Sequence, residues 1–281
     1  MKQTAALIRL ELARLFTSRR WFAGVLMWGA VGKMAADEVG GYVLGAGLGA
    51  WTVFDAHAAL MNNGFFVGFL LLMTFVLIAC DGLARDRETR LAHIVVLRAG
   101  NRWQWWVSKV VPMLLAAVIF QAGTLGGALA AAAYEGAAIT RMPSMFALGE
   151  AGVGDASSQL FFTPAEPDMD MLLREIGASL YLALGFAAVG LAVLALTVRY
   201  PVSWLPGLAV VAVLLADSIL GWFIHAQWYS WVSLPYRLME AAHSAAVVDD
   251  PLPLWSSYAW WVLLLVGSAA GGAWMLKRVD V

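Results

Sequence analysis

Long uninterrupted apolar runs constrain this chain more than any other feature. A helix needs about 20 apolar residues, at ~1.5 Å each, to cross ~30 Å of hydrocarbon. Runs of that length cover 60–80, 103–133, 176–198, 202–224 and 254–276. A shorter one, Trp21 to Val31, sits inside 17–36 and is closed by Lys33, Asp37 and Glu38. Charged residues make up 13 % of the chain and hydrophobic ones 62 %, and so few charges cannot cover a soluble surface. The expected fold is an all-α polytopic membrane protein, a single transmembrane domain over 1–281 with six transmembrane helices at these ranges. Segment 103–133 exceeds the bilayer and must tilt or protrude.

Charge sets the orientation. The N-terminus up to Arg20 holds five Lys/Arg, and 81–102 holds five more: Arg85, Arg87, Arg90, Arg98 and Arg102. The positive-inside rule places both on the cytoplasmic side, so an even number of crossings separates them. Segment 39–54, with Gly40, Gly41, Gly45, Gly47 and Gly49, is then an outer loop or a re-entrant stretch, not another span. This arrangement puts 14 of the 18 basic residues inside and 13 of the 19 acidic ones outside. Trp21, Trp103, Trp105, Trp106, Trp204 and Trp274 fall at inner ends, and Trp222, Trp228, Trp231 and Trp255 at outer ends, as an aromatic belt requires. Both termini are expected inside. The outer connections are 37–59, 134–175 and 225–253, and the inner link Arg199-Tyr200-Pro201 makes a tight hairpin. Lys2, Arg9, Glu11, Arg14, Arg19 and Arg20 leave no apolar core for a cleavable leader, so the mature protein is expected to begin at Met1.

Few residues suggest chemistry. Cys80 is the single cysteine, which excludes an intrachain disulfide and a multi-cysteine metal site. The net charge of −1 suggests no nucleic-acid partner. Asp217 lies ~24 Å along a helix from Pro201, near the outer face, where a carboxylate can line a translocation path or simply sit near the interface. Lys33 and Asp37 can pair four residues apart and keep the first span neutral. His225 and His243 are not at metal-ligand spacing, and Met169 and Met171 flank Asp170 in the outer loop, either as soft-metal ligands or, as the preferred reading, as methionines placed there by chance. No metal site and no catalytic residue is expected. An intramembrane serine protease would need a Ser and a His in neighbouring spans; Ser268 is in a span, but His225 and His243 are not. Gly267-x-x-x-Gly271 and Ser268-x-x-x-Gly272 permit close helix approach, within the chain or at a dimer seam. Gly29-Ala-Val-Gly32-Lys33-Met34 has the wrong spacing for a phosphate loop and lacks its hydroxyl, so the chain is not an ATPase.

Two cytoplasmic segments are more informative. In 3–16, Ile8, Leu12, Leu15 and Phe16 share one helical face that Arg9, Glu11 and Arg14 avoid. That pattern fits a helix lying in the inner interface, or the basic flank of a first span. In 81–109, Arg85, Arg87, Glu88 and Arg90 precede an apolar patch of Leu91, Ile94 and Val95 at i, i+3, i+4 spacing. Such a helix can dock on a soluble partner or lie on lipid. Outer segment 225–253 holds Trp228, Trp231 and Tyr236, too apolar for a free loop and too broken by Pro235 and Arg237 to span.

The run Ile8-Arg9 to Arg19-Arg20-Trp21 resembles the "elbow" helix of type-2 ATP-binding-cassette (ABC) permeases, which carries a buried acid and a basic end. The stretch Arg87-Glu88-Thr89 to Leu97, then Arg102 and Lys109, resembles that family's signature after span two. It lacks the Gly before Thr, has Ala99 where Pro is usual, and has Ser108 before Lys109. Length, six spans, inner termini and the 22-residue first inner loop agree with that architecture over the whole chain. The resemblance implies the permease subunit of an ATP-driven exporter in a bacterial inner membrane. A separate nucleotide-binding subunit would hold ATP and Mg, leaving no cofactor in this chain. A second permease chain, the same or homologous, and membrane lipids would complete the assembly. Arg85, Arg87, Glu88, Arg90, Leu91, Ile94 and Val95 would form the coupling helix. Short re-entrant helices between spans five and six would bring Trp228, Trp231 and Tyr236 to an outer gate. The competing readings are an ion-coupled secondary transporter, which lacks support from mid-membrane charges or a repeat, and a non-transporting ABC membrane subunit that transmits force.

Overall fold

The computed structural model describes residues 2–47, 50–80, 86, 101–144, 166–200, 202, 205–223, 233–239, 243 and 251–278. Among them there is no strand; a single bridge joins Thr52 to Ala138. The helices in chain order are α1 (Lys2–Phe16), α2 (Arg20–Ala46), α3 (Val53–Asn62), a π-helical stretch (Phe65–Leu71) continuing into α4 (Leu72–Ala79), α5 (Arg102–Tyr134), α6 (Met171–Arg199), α7 (Leu205–Phe223), α8 (Leu234–Leu238) and α9 (Leu254–Arg278). Three of them, α5, α6 and α9, are long and apolar enough to cross a membrane.

The bundle has two polar ends. At the basal end Arg20 donates to Leu77 O at 3.0 Å and Arg102 to Leu276 O at 3.1 Å. At the apical end Ala138 N donates to Trp51 O at 2.8 Å, Val53 N donates to Ala138 O at 3.1 Å, and Met171 N donates to Arg141 O at 3.0 Å. Helix α5 starts at the basal end and finishes at the apical one, and α6 runs back. Between the ends lies a core in which Phe75, Phe120 and Phe186 meet with centroids 5.6–6.1 Å apart. Lipid is as apolar as these side chains, so tight packing rather than burial from water holds the helices together.

That packing depends on small residues. A Cβ on Gly32 of α2 would lie 2.7 Å from Gly127 O of α5, so the two backbones touch. Gly123, one turn earlier, makes room for the Trp28 ring. The motif in use is therefore Gly123-x-x-x-Gly127. On α9, Gly272 receives Trp106 within the chain, whereas among the described residues nothing lies within 4 Å of the Cβ positions of Gly267 and Gly271. Gly127→Val should force α2 and α5 apart and destabilise the fold by about 1–3 kcal/mol, the usual range for overpacking. Thermal unfolding in lipid nanodiscs checks this; an unchanged midpoint would mean that the contact is slack.

Several expected boundaries are corrected. Helix α2 does not stop at Asp37 and Glu38 but runs on to Ala46, where Gly47 at φ 67° terminates it. Its charges are tolerated because Lys33 binds Asp37 and also Glu135 of α5, at 2.9 Å. Residues 39–46 are therefore the end of α2, and 53–54 open α3. The 60–80 run is not one helix. Asn63 ends α3, and its side-chain Oδ1 accepts from Phe65 N and Phe66 N at 3.1 and 3.2 Å, starting the next helix at 77° to α3. Residues Phe65–Leu71 are π-helical, a widened turn found mostly at functional positions. Helix α6 begins five residues before 176, at the N-cap Asp170, whose carboxylate accepts from Leu172 N and Leu173 N. Helix α5 carries Pro112, ten residues into its length, where one backbone hydrogen bond is missing.

Candidate functional site

Among the described residues three polar clusters interrupt the apolar bundle. The basal cluster centres on Lys109 of α5, whose side chain is 5 % exposed. Lys109 Nζ donates to Glu11 Oε2 of α1 at 2.7 Å and to Asp86 Oδ2 at 2.5 Å. Arg14 adds contacts of 3.3 Å to Glu11 and 3.7 Å to Asp86. Two cations thus face two anions, and three distant chain segments are joined at one nitrogen. Periodicity placed Glu11 away from the apolar face of α1. In the structure it is buried, while Leu7, Leu15 and Phe16 of the same helix pack against the core. A buried carboxylate is tolerated only when paired, and Lys109 supplies the partner.

The apical cluster was not legible in the sequence. Helix α3 is buried along its whole length, and His57 is fully enclosed. His57 Nδ1 lies 2.5 Å from Glu175 Oε2 of α6, and His57 Nε2 lies 3.4 Å from Ser179 Oγ, one turn further along α6. The carboxylate favours the Nδ1–H tautomer, leaving Nε2 to accept from the Ser179 hydroxyl. Arg174 approaches the other Glu175 oxygen at 3.6 Å. At the start of α3, Thr52 and Asp55 form a capping box, with Thr52 N donating to Asp55 Oδ2 at 2.6 Å. Carboxylate, imidazole and hydroxyl stand in the order used by serine hydrolases. The hydroxyl, however, sits in mid-helix, where the backbone N–H groups are already used and offer nothing to a developing oxyanion. What the cluster does is fasten α3 to α6.

The third cluster lies between these two. Helix α8 reaches the middle of α6: a Cβ on Gly185, the midpoint of that helix, would come within 2.6 Å of Leu238. Tyr181 donates to the Arg237 carbonyl and accepts from Trp261 Nε1 at 3.1 Å, and His243 Nε2 lies 3.3 Å from the same hydroxyl. The Arg237 guanidinium donates to Ser257 Oγ at 3.0 Å and lies over the Trp260 ring. Asp217 of α7 accepts from Ser233 Oγ at 2.9 Å.

Of the residues expected to act, Asp217 is therefore tied to the segment that leads into α8. Arg85, Arg87, Glu88, Arg90, Leu91, Ile94 and Val95 lie outside the described residues, as do Trp228 and Trp231. Tyr236 falls within α8, but its side chain is outside the described set. Among the described residues no group of three or more His, Cys, Asp or Glu is placed to hold a metal ion. No protein-family model and no curated protein matches this chain.

Proposed function

We propose that this chain is the membrane permease subunit of an ABC exporter, driven by ATP hydrolysis on a separate nucleotide-binding subunit. The observation that carries the reading is the Lys109 cluster. The resemblance rests on two separate stretches, the N-terminal helix and the segment following the second apolar run. Lys109, itself part of the second stretch, binds Glu11 of the first and Asp86, the residue that precedes Arg87. In this reading the basal end is cytoplasmic. It gathers Arg14, Arg20, Arg102 and Lys109, as the positive-inside rule asks. Helix α1 is the interfacial elbow, and α2, the α3–α4 unit, α5, α6, α7 and α9 supply six crossings. Helix α8, seated against mid-α6, is the re-entrant piece between the last two. The location is a bacterial inner membrane.

The segment after Asp86 then carries the coupling helix. Apolar anchors supply affinity, and charges at the rim steer and select. Ile94→Asp should place a charge in a desolvated cleft of the ATPase and abolish both co-purification and transport-coupled ATP hydrolysis. Glu88→Lys should do less, because an exposed ion pair contributes only ~0–1 kcal/mol. The measurement is pull-down of the partner ATPase followed by its turnover in proteoliposomes. Intact assembly and turnover with Ile94→Asp would reduce this segment to a surface helix and remove the reading.

A further inference from the structure

Helix α8 is fastened to the middle of α6 through one crowded oxygen. Tyr181 Oη accepts from Trp261 Nε1 at 3.1 Å, gives its own proton to the Arg237 carbonyl, and lies 3.3 Å from His243 Nε2. Arg237 is in the last turn of α8, where a carbonyl has no partner inside its helix. On the other side of the imidazole, His243 Nδ1 lies 2.8 Å from Leu252 O, two residues before α9 begins. The Tyr181 and His243 rings meet edge to face with centroids 5.9 Å apart. Ser257 also hydrogen-bonds Tyr181, and because its Oγ already accepts from the Arg237 guanidinium it acts there as a donor.

The hydrogens here can be counted. A carbonyl only accepts, so Leu252 O fixes a proton on His243 Nδ1. In a neutral imidazole Nε2 is then an acceptor. The Tyr181 hydroxyl carries a single proton, and Trp261 is a donor only. His243 Nε2 and the Arg237 carbonyl therefore compete for one hydrogen. A neutral His243 either faces the phenol lone pair to lone pair or takes the proton that bonds α6 to α8. An imidazolium removes the conflict: Nδ1–H serves Leu252 O, Nε2–H serves Tyr181 Oη, and the tyrosine proton stays on Arg237 O. Among the described residues, the charged and titratable groups of this cluster are Tyr181 of α6, Tyr258 of α9, Arg237 of α8 and, through Ser233, Asp217 of α7. Arg237 opposes a second positive charge, and Asp217 brings a negative one to the same segment.

We propose that His243 is a proton-operated latch on α8: protonated, it holds α8 against α6, and neutral, it draws the Tyr181 proton from the Arg237 carbonyl and loosens that seat. The latch stands independently of the permease reading and needs no ATPase. His243 is half-buried, so water delivers and removes its proton. The seat is tightest at acid pH and weakens as pH rises through the imidazole titration. The full chain in lipid nanodiscs is followed by hydrogen exchange from about pH 5 to 8, the range in which histidines change charge. Each rate is divided by that of His243→Gln at the same pH, which cancels the intrinsic pH dependence of exchange. The α8 amides after Pro235 should be protected relative to the variant at the acid end. That advantage should shrink by about threefold to tenfold toward the alkaline end, the worth of one net hydrogen bond. Amides of α5 should keep a constant ratio. Tyr181→Phe retains His243 but removes the contested proton, and should make the α8 ratio independent of pH. Nitrogen-15 NMR of histidine-labelled protein, with the His243 signal assigned by its loss in His243→Gln, should show both ring nitrogens protonated over the pH range in which α8 is protected. A flat α8 ratio in the parent, or a His243 signal that titrates while α8 stays unchanged, overturns the proposal. So does a pH dependence of α8 that survives in Tyr181→Phe.

Discussion

Lys109→Met should be among the most damaging single substitutions in this protein. It removes the one cation that both Glu11 and Asp86 contact at 2.7 Å or less. Two enclosed carboxylates then face each other, with the half-exposed Arg14 as the remaining cation of this cluster among the described residues. Breaking a buried ion pair from one side costs about 3–5 kcal/mol, against a total stability of ~5–15 kcal/mol for a typical domain. The loss should appear as a large fall in the unfolding midpoint in nanodiscs and as release of α1 to proteolysis. The triple variant Lys109→Met, Glu11→Gln, Asp86→Asn should recover most of it, because no buried carboxylate is left unpaired and Arg14, 40 % exposed, keeps its charge in contact with solvent. If Lys109→Met matches the parent within ~0.5 kcal/mol, the range of an ordinary surface change, the cluster is solvated and does not join the three segments.

A second large effect is expected at His57. His57→Leu leaves Glu175 enclosed beside α3 with, among the described residues, the 3.6 Å contact to Arg174, at a cost of about 1–3 kcal/mol or more, the penalty of a buried charged acceptor left unsatisfied. Glu175→Gln should cost less, because an amide can still accept from His57 Nδ1. The double variant His57→Leu, Glu175→Leu should be more stable than either single leucine variant. A coupling energy of roughly 1–3 kcal/mol in that cycle would be the signature of a direct contact. Additive single effects would show that the two residues do not meet. Hydrogen exchange along α3 gives a second readout: its amides should lose protection in His57→Leu while those of α5 keep theirs.

Apolar run length located the long helices closely. The expected 103–133 and 254–276 became Arg102–Tyr134 and Leu254–Arg278. Such runs are legible because crossing lipid requires every backbone group to be bonded within the segment. Hydropathy failed where charges were neutralised by distant partners. Lys33 and Asp37 seemed to close α2, yet Glu135, about a hundred residues later, completes their pairing. Arg174 and Glu175 resembled loop residues but belong to the first turns of α6. His57 was hidden by Ala56, Ala58, Ala59 and Leu60, since an apolar neighbourhood hides a polar residue whose partner is 118 positions away. The available signal was Asp55-x-His57 inside an apolar stretch, because an ionisable residue in such surroundings implies a partner. Glu11 divided the two kinds of reading. Helical periodicity put it off the apolar face of α1, yet it is buried, because Lys109 from a distant helix pairs with it.

Helix α5 also has a mechanical consequence. It is clamped to α1 three residues before Pro112, and from Gly123 onward its backbone lies against α2. The stretch from Pro112 to Ala132, which packs in the cluster around α3, is an uninterrupted rod of ~30 Å. Pro112 weakens the rod next to its basal clamp. Pivoting by about 10° there would swing the Ala132 end through roughly 5 Å, a lever ratio set by helix length alone. Because the glycine contacts lock α2 to that rod, the two helices would swing together, carrying Lys33 and Glu135 without breaking them apart. Force applied near Lys109 would thus be delivered as displacement at the α3 seat.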